Sequence, residues 1–140
     1  MRVPKPADCA RMAELAGQLG YPSTARQIQE RLETMTDPDQ YATYVAELPN
    51  GHVVGLIGVY IFRAVELDPF VEISGLVVDE HVRSQGIGRA LLDAAEHWAR
   101  ERGFNGLSVR SNVVRERAHA FYMRNGFERG KTQATLVKSF

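Results

Sequence analysis

The order of predicted helices and strands indicates a mixed α/β fold, with one mostly antiparallel sheet and helices on both of its faces. Several stretches place apolar residues at helical spacing, both at the start of the chain and in its second half. Between them lie apolar runs bounded by Pro, Asn, Gly and Asp, which is typical of strands joined by turns. A length of 140 residues fits one domain over residues 1–140.

Two helices are predicted first. Asp8 is a candidate N-cap for a helix that reaches about Leu19, and Gly20 ends it. Thr24 and Gln27 have the spacing of a capping box for the second helix, which Asp37-Pro38-Asp39 ends. The apolar stripes of the two helices are Cys9, Met12, Leu15, Ala16 and Leu19, and then Ile28, Leu32 and Met35.

Three strands follow in the prediction. Tyr41 to Leu48 and His52 to about Val65 flank the turn Pro49-Asn50-Gly51, which is typical of a hairpin. Asp68-Pro69 turns the chain again, and Phe70 to Val78 is the third strand.

The second half alternates helices and strands. An amphipathic helix begins at the glycine-containing segment, and Gly103 ends it. Its apolar face carries Ile87, Leu91, Ala94, Ala95 and Trp98. A short strand is expected over Leu107 to Arg110. Ser111 or Asn112 then caps a last helix that ends at Gly126, and Lys131 to Phe140 is expected to be a final strand.

The segment Arg83-Ser84-Gln85-Gly86-Ile87-Gly88-Arg89 joins a predicted strand to a predicted helix. Glycines let backbone N–H groups approach an anion, and a helix N-terminus adds unpaired N–H donors. The segment therefore predicts a pyrophosphate site. It is not the dinucleotide fingerprint, because Leu91 stands where that motif has its third glycine. A glycine-rich turn that only starts a helix is the alternative.

Composition excludes several classes of function. The 17 basic and 17 acidic residues give zero formal net charge, which argues against nucleic-acid binding. No apolar run approaches the roughly 20 residues that span a membrane, and the first residues lack the apolar stretch of a secretory signal. Cys9 is the single cysteine, and the histidines lack metal-ligand spacing, so no metal is expected. These observations favour a cytoplasmic protein.

Three motifs, in this element order, resemble the GNAT family of acetyl-CoA-dependent N-acyltransferases. The first is Gly75-Leu76-Val77-Val78 followed by Arg83-x-x-Gly86-x-Gly88. The second is Ser111-Asn112 followed by the segment from Ala118 to Phe127. The third is the leading pair of helices, with Leu19-Gly20-Tyr21 at the end of its first helix. The chain departs from the family at its start, where two prolines between Met1 and Asp8 predict a short or missing first strand.

The resemblance implies where acetyl-CoA binds. The backbone of residues 83–89 holds the pyrophosphate. The strand segment of Leu76, Val77 and Val78 lies beside the pantetheine arm, at an opening between splayed strands that a bulge at Gly75 would help to form. Leu76 and Val78 offer their backbone groups to the arm, and Asn112 matches a position whose side chain often meets it. The full set expected to bind the cofactor is Leu76, Val77, Val78, Arg83, Ser84, Gln85, Gly86, Ile87, Gly88, Arg89, Asn112 and Tyr122.

Two residues are expected to act in catalysis. Tyr122 matches the family's general acid, which protonates the leaving thiolate; the alternative is a core aromatic with its hydroxyl at the rim. Glu72 is the candidate general base because a carboxylate is unusual in an apolar strand, and a solvated or edge-facing glutamate is the alternative.

The expected reaction is transfer of an acetyl group from acetyl-CoA to a primary amine by direct attack on the thioester. The alternative is a non-catalytic acyl-CoA-binding sensor or partner module. The acceptor is a small-molecule amine or a protein lysine or N-terminus, and acidic residues in the acceptor-side segments hint at a cationic one. Whether the chain forms a homodimer, and whether the acyl group is longer than acetyl, stay open.

Overall fold

The computed structural model describes residues 1–83, 85–111 and 116–140. They form two compact units, Met1–Val109 and Arg110–Phe140. The first unit contains α1 (Cys9–Leu19), α2 (Ala25–Glu33), β1 (Tyr41–Glu47), β2 (Val53–Phe62), β3 (Phe70–Val78), α3 (Ile87–Glu101) and β4 (Leu107–Val109), with short 3₁₀ turns at Pro6–Asp8 and Glu80–Val82. The second contains α4 (Glu116–Arg124). A single domain over residues 1–140 stays a prediction.

The helix ends follow the local chemistry of the sequence, with two corrections. Gly20 ends α1 with a φ of 106°, and the Thr24 hydroxyl accepts from the Gln27 N–H at 3.1 Å in the predicted capping box. Asp8, however, does not cap α1 with its side chain. Its carboxylate is taken by Arg2 and by the Lys5 N–H. Met35 lies outside α2, because the backbone turns at Thr34.

The sheet has the order β1-β2-β3-β4. The first two pairings are antiparallel, and β3 pairs with β4 in parallel. Gly58 of β2 faces Gly75 of β3, whereas the next residue, Val59, faces Ile73, so Ser74 is an extra residue in β3. This is a β-bulge, and it lies one residue before the predicted position at Gly75.

Helices cover both faces of the sheet, as predicted. Leu56 of β2 packs with Val45 and Val77 in a cluster that includes α1 and α2. Gly55, the preceding residue, points to the opposite face, where Leu91 and Ile87 of α3 lie. The buried core therefore has one layer on each side of the sheet. No helix in the described part of the chain is long and apolar enough to span a membrane.

The strands expected at the two ends of the chain have different outcomes. Arg2 forms a single bridge with Val45, so the expected short first strand is reduced to one residue pair. The expected strand over Lys131–Phe140 is wrong: these residues form no strand, and Leu136 and Phe140 are fully exposed. Strand-like composition does not suffice, because a strand is stabilised by a pairing partner. The predicted second strand also ends early, at Phe62 rather than about Val65.

Candidate active site

The predicted anion site lies between the end of β3 and the start of α3. Gly86 is the residue before α3 and has a φ of +76°, in the left-handed region that favours glycine. A Cβ at Gly86 would meet no atom within 4 Å, so the requirement for glycine there is conformational rather than spatial. Gly86 provides no side-chain cap to α3, and the first N–H groups of a helix have no partner within the helix. The structure thus presents backbone donors where the sequence predicted them; Ser84 lies outside the described residues.

The two arginines of the segment have different partners. The Nε of Arg83 donates to the carbonyl of Val78 at 3.3 Å, so this side chain folds back onto the end of β3. Arg89 lies along α3, where it pairs with Asp93 at 2.9 Å and with Glu96 at 4.0 Å. Arg83 is therefore the closer of the two to the strand that leads into the loop.

Among the residues that the structure describes, the outer edge of β3 has no strand partner beyond its pairing with β4. That pairing covers Val71 to Ile73 only. On the other side of β3, the Asp79 N–H donates to the Val54 carbonyl at 2.8 Å. Because hydrogen bonds to one neighbour alternate along an antiparallel strand, the peptide groups of Leu76 and Val78 point away from β2. The predicted pantetheine contacts thus lie on the β3 edge beyond its β4 partner.

An ion pair connects α1 to the residues that precede the predicted anion loop, which is the segment of residues 83–89. The Arg11 guanidinium donates to the Asp79 carboxylate, and its Nε donates to the Val53 carbonyl at 2.7 Å. The Asp79 carboxylate also accepts from the His81 N–H at 3.0 Å. The hydrogen bond from His81, followed by that from Arg11, holds the pKa of Asp79 below its usual value. Sequence reasoning missed this pair; the only local signal was an aspartate directly after a strand.

Glu72 lies in β3 with only 4% of its surface exposed. It faces Tyr60 across the β2–β3 ladder, and the Tyr60 hydroxyl donates to its Oε2. Tyr60 is four residues after Leu56 on β2, and residues an even number apart on a strand lie on the same face. Tyr60 and Glu72 therefore lie on the sheet face that α1 and α2 cover. A solvated or edge-facing Glu72 is therefore wrong, whereas its role as a base stays a prediction. Tyr60 was missed because nothing in its own segment pointed to a carboxylate.

Tyr122 is a buried residue of α4 in the second unit. Its ring makes edge contacts with Phe121 and Phe127, at centroid distances of 5.4 and 5.1 Å. These contacts fix the ring, and its role as a general acid stays a prediction. Asn112 lies outside the described residues. Within the described residues, no group of three or more His, Cys, Asp or Glu side chains could hold a metal ion.

Comparison with known proteins decides the family. Residues 10–127 match the acetyltransferase (GNAT) family. The chain belongs to this family. The predicted resemblance is confirmed. The first of the motifs that carried it, Gly75 to Gly88, spans the strand edge and the loop described above.

Two curated relatives have related sequences. An aminoalkylphosphonate N-acetyltransferase of Salmonella typhimurium is 35% identical over 102 residues, which cover 72% of this chain and 65% of the relative. An aminoglycoside N(6')-acetyltransferase type 1 of Stenotrophomonas maltophilia is 31% identical over 133 residues, which cover 91% of this chain and 85% of the relative. Both are N-acetyltransferases, as the predicted enzyme class requires, and neither supports the sensor alternative.

A solved structure has the same fold. The aminoglycoside 6'-N-acetyltransferase of Acinetobacter haemolyticus matches with a TM-score of 0.84 at 20% identity, covering 99% of this chain and 97% of the other. The predicted fold class is confirmed. The chain carries a GNAT N-acetyltransferase domain, and the family's reaction is acetyl transfer from acetyl-CoA to an amine.

Proposed function

We propose that this protein transfers an acetyl group from acetyl-CoA to the primary amine of a small cationic molecule. One observation carries the proposal: Gly86, in a left-handed conformation, precedes α3, and among the described residues β3 has no strand partner on its outer edge beyond Ile73. A helix N-terminus suits the pyrophosphate, and an open strand edge suits an extended arm with amide groups. The two features follow one another along the chain, as the two parts of acetyl-CoA do.

The proposed cofactor site uses mainly backbone groups. The N–H groups of residues 83–89 bind the pyrophosphate, with the positive end of the α3 dipole behind them. Leu76 and Val78 pair with the pantetheine arm, and Val77, buried on the α1 side, holds the strand in place. The Arg83 side chain bonds the Val78 carbonyl at the end of β3. In the complex it exchanges this hydrogen bond for one to a phosphate of the cofactor. Ser84 and Asn112 complete the proposed set by family resemblance.

The proposed chemistry needs three groups. Glu72 accepts a proton from the acceptor amine, directly or through water, so that the nitrogen lone pair is available. A C–N bond forms, and the Leu76 N–H stabilises the oxyanion that develops on the thioester oxygen. The C–S bond then breaks, and Tyr122 gives its proton to the leaving sulfur. The surplus proton on the newly bonded nitrogen returns through water to the Tyr122 phenolate, which leaves a neutral amide and a free thiol. The role of Tyr122 follows the family resemblance, whereas the roles of Glu72 and Leu76 are proposed from their places in β3.

The acceptor is proposed from two kinds of support. The curated relatives act on an aminoalkylphosphonate and on an aminoglycoside, both small molecules with amines. On the chain itself, exposed carboxylates occur in and after α2, the segment next to the α1 face on which Glu72 lies: Glu30, Glu33, Asp37 and Asp39. Glu30 is paired with Arg26 and Asp39 with Arg102. Glu33 and Asp37 are then the carboxylates whose charge would attract a cationic acceptor. A protein lysine or N-terminus is the less favoured acceptor.

We also propose a cytoplasmic location, because it fits a protein that uses acetyl-CoA.

The test is an acceptor panel with release of free CoA thiol as the readout. The panel contains an aminoglycoside, an aminoalkylphosphonate and a lysine peptide, with acetyl-CoA alone as the control for hydrolysis. We expect acceptor-dependent thiol release with the aminoglycoside, which is cationic. Turnover of the aminoalkylphosphonate alone, whose phosphonate is anionic, would keep a small-molecule amine as acceptor and overturn its proposed positive charge. Turnover of the lysine peptide alone would overturn the proposed acceptor class. Binding of acetyl-CoA without release for any acceptor in a broad amine library would overturn the enzyme and favour a sensor.

A further inference from the structure

We propose that Tyr60 is a positioning residue for the reaction: its hydroxyl holds the Glu72 carboxylate in the orientation in which Glu72 takes the proton of the acceptor amine. This inference rests on the proposed function and adds a residue to it. Tyr60 itself touches no reacting atom in this account. Its effect on the reaction passes through the carboxylate.

The geometry of the pair is that of two directly opposed residues in an antiparallel ladder. Tyr60 and Glu72 are partners in the β2–β3 register, and the hydroxyl donates to Oε2. Side chains that face one another across a ladder start from the same face of the sheet, so the contact needs no backbone distortion. The bond joins two interior strands, because β2 and β3 lie between β1 and β4. The orientation of the carboxylate is therefore tied to the two inner strands of the sheet.

Burial gives this hydrogen bond its importance. With 4% of its surface exposed, Glu72 has lost most of its contact with water. An ionised carboxylate in such a place needs donors, and a hydroxyl bound to a charged oxygen makes a bond roughly twice as strong as a neutral one. A Phe at position 60 would keep the aromatic ring and remove only the hydroxyl. The same strand already carries a Phe two residues later, at position 62. The hydroxyl is the part of Tyr60 that packing does not require.

The surroundings place the pair beside the bulge. The next register pair on the same face is Gly58 with Gly75, and neither has a side chain to cover the sheet. A Cβ on Gly75 would lie 3.1 Å from Leu19 Cδ2, and one on Gly58 would lie 2.6 Å from Ser74 Oγ. The carboxylate thus lies next to a narrow, bare part of the sheet. Beyond it the strand continues to Leu76, the proposed oxyanion donor.

A double-mutant cycle tests whether Tyr60 acts through Glu72. Tyr60→Phe is measured in the wild-type and in the Glu72→Gln background, with an acceptor from the panel. In the wild-type background we expect kcat to fall about tenfold, since misplacement of a catalytic group by an ångström can cost on the order of 100-fold. The Kd for acetyl-CoA stays unchanged, and the protein stays folded although its melting temperature falls with the loss of a buried hydrogen bond. In the Glu72→Gln background the same substitution changes kcat by less than about twofold.

Tyr41→Phe is the matched control. Tyr41 faces Tyr60 from β1 in the register, so it lies on the same face of the same sheet. Among the described residues its hydroxyl makes no hydrogen bond to Glu72. We expect this variant to keep the wild-type kcat. Loss of kcat in both tyrosine variants would point to general damage to the sheet rather than to the bond with Glu72.

The outcomes separate this inference from the proposed function. A wild-type kcat for Tyr60→Phe, or an equal loss in both backgrounds, overturns the positioning role while acetyl transfer stands. A wild-type kcat for Glu72→Gln overturns the base role and the Tyr60 inference together. A wild-type protein that acetylates no amine overturns the proposed function itself.

Discussion

Replacing Gly55 by Ala should push α3 away from the sheet. An added Cβ would lie 2.8 Å from Leu91 Cδ1, 3.2 Å from Ile87 Cγ2 and 3.4 Å from Ala46 Cβ. Leu91 is 0% exposed and has no room to swing aside. Overpacking of this kind typically costs about 1–3 kcal/mol. Because Ile87 is the first residue of α3, the displacement also reaches the proposed pyrophosphate site.

We expect Gly55→Ala to lower the free energy of unfolding by about 1–3 kcal/mol, and to weaken acetyl-CoA binding. Urea unfolding measures the first effect and titration calorimetry the second. Shortening the clashing side chain in Gly55→Ala/Leu91→Val should make the combined loss smaller than the sum of the single losses. Gly17→Ala is the control: its Cβ meets nothing within 4 Å, and it lies in α1. That variant should gain about 0.5–1 kcal/mol. Unchanged stability of Gly55→Ala would refute the packing argument.

Three further substitutions test the site. Gly88→Val should remain folded but weaken acetyl-CoA binding at least about tenfold in calorimetry, because its side chain fills space that the pyrophosphate needs; unchanged affinity would contradict the assignment. Tyr122→Phe should lower kcat at least about tenfold at unchanged acetyl-CoA affinity, since general acids contribute on the order of 10²–10⁴-fold, and less with a donor whose thiol is more acidic. Asp79→Asn should cost about 1–3 kcal/mol at pH 7 by loss of the ion pair with Arg11. The pKa of Asp79 is lowered by folding, so this difference is full above the usual aspartate pKa of about 3.9 and disappears as the pH falls through the lower, folded-state pKa. A difference that persists in strong acid would contradict it.

The features that the sequence predicted correctly are those that nearby residues determine. Gly20 ends α1, and the pair Thr24–Gln27 starts α2, because caps are interactions over three or four residues. The start of α3 directly after Gly86 was predictable for the same reason, since the two are adjacent. The β3 strand was predicted with its observed bounds because an apolar run lies between clear turn signals.

Features that depend on distant parts of the chain were missed or misplaced. Tyr60 and Glu72 are 12 residues apart, and Arg11 and Asp79 are 68 apart, so only the strand register and helix packing bring them together. The bulge was predicted at Gly75 because glycine marks such sites, but the register makes Ser74 the extra residue. The final strand was wrong because a pattern of residues does not supply a pairing partner.

Transfer of the acetyl group to nitrogen is tested by following the acetyl group itself. Wild-type protein is mixed with acetyl-CoA carrying an isotopically labelled acetyl group and with the acceptor that gives the highest rate of thiol release. The products are then analysed by mass spectrometry and NMR. We expect one labelled acetyl group per released CoA, bonded to the nitrogen of a primary amine. Label recovered as free acetate, or on an oxygen of the acceptor, would contradict it.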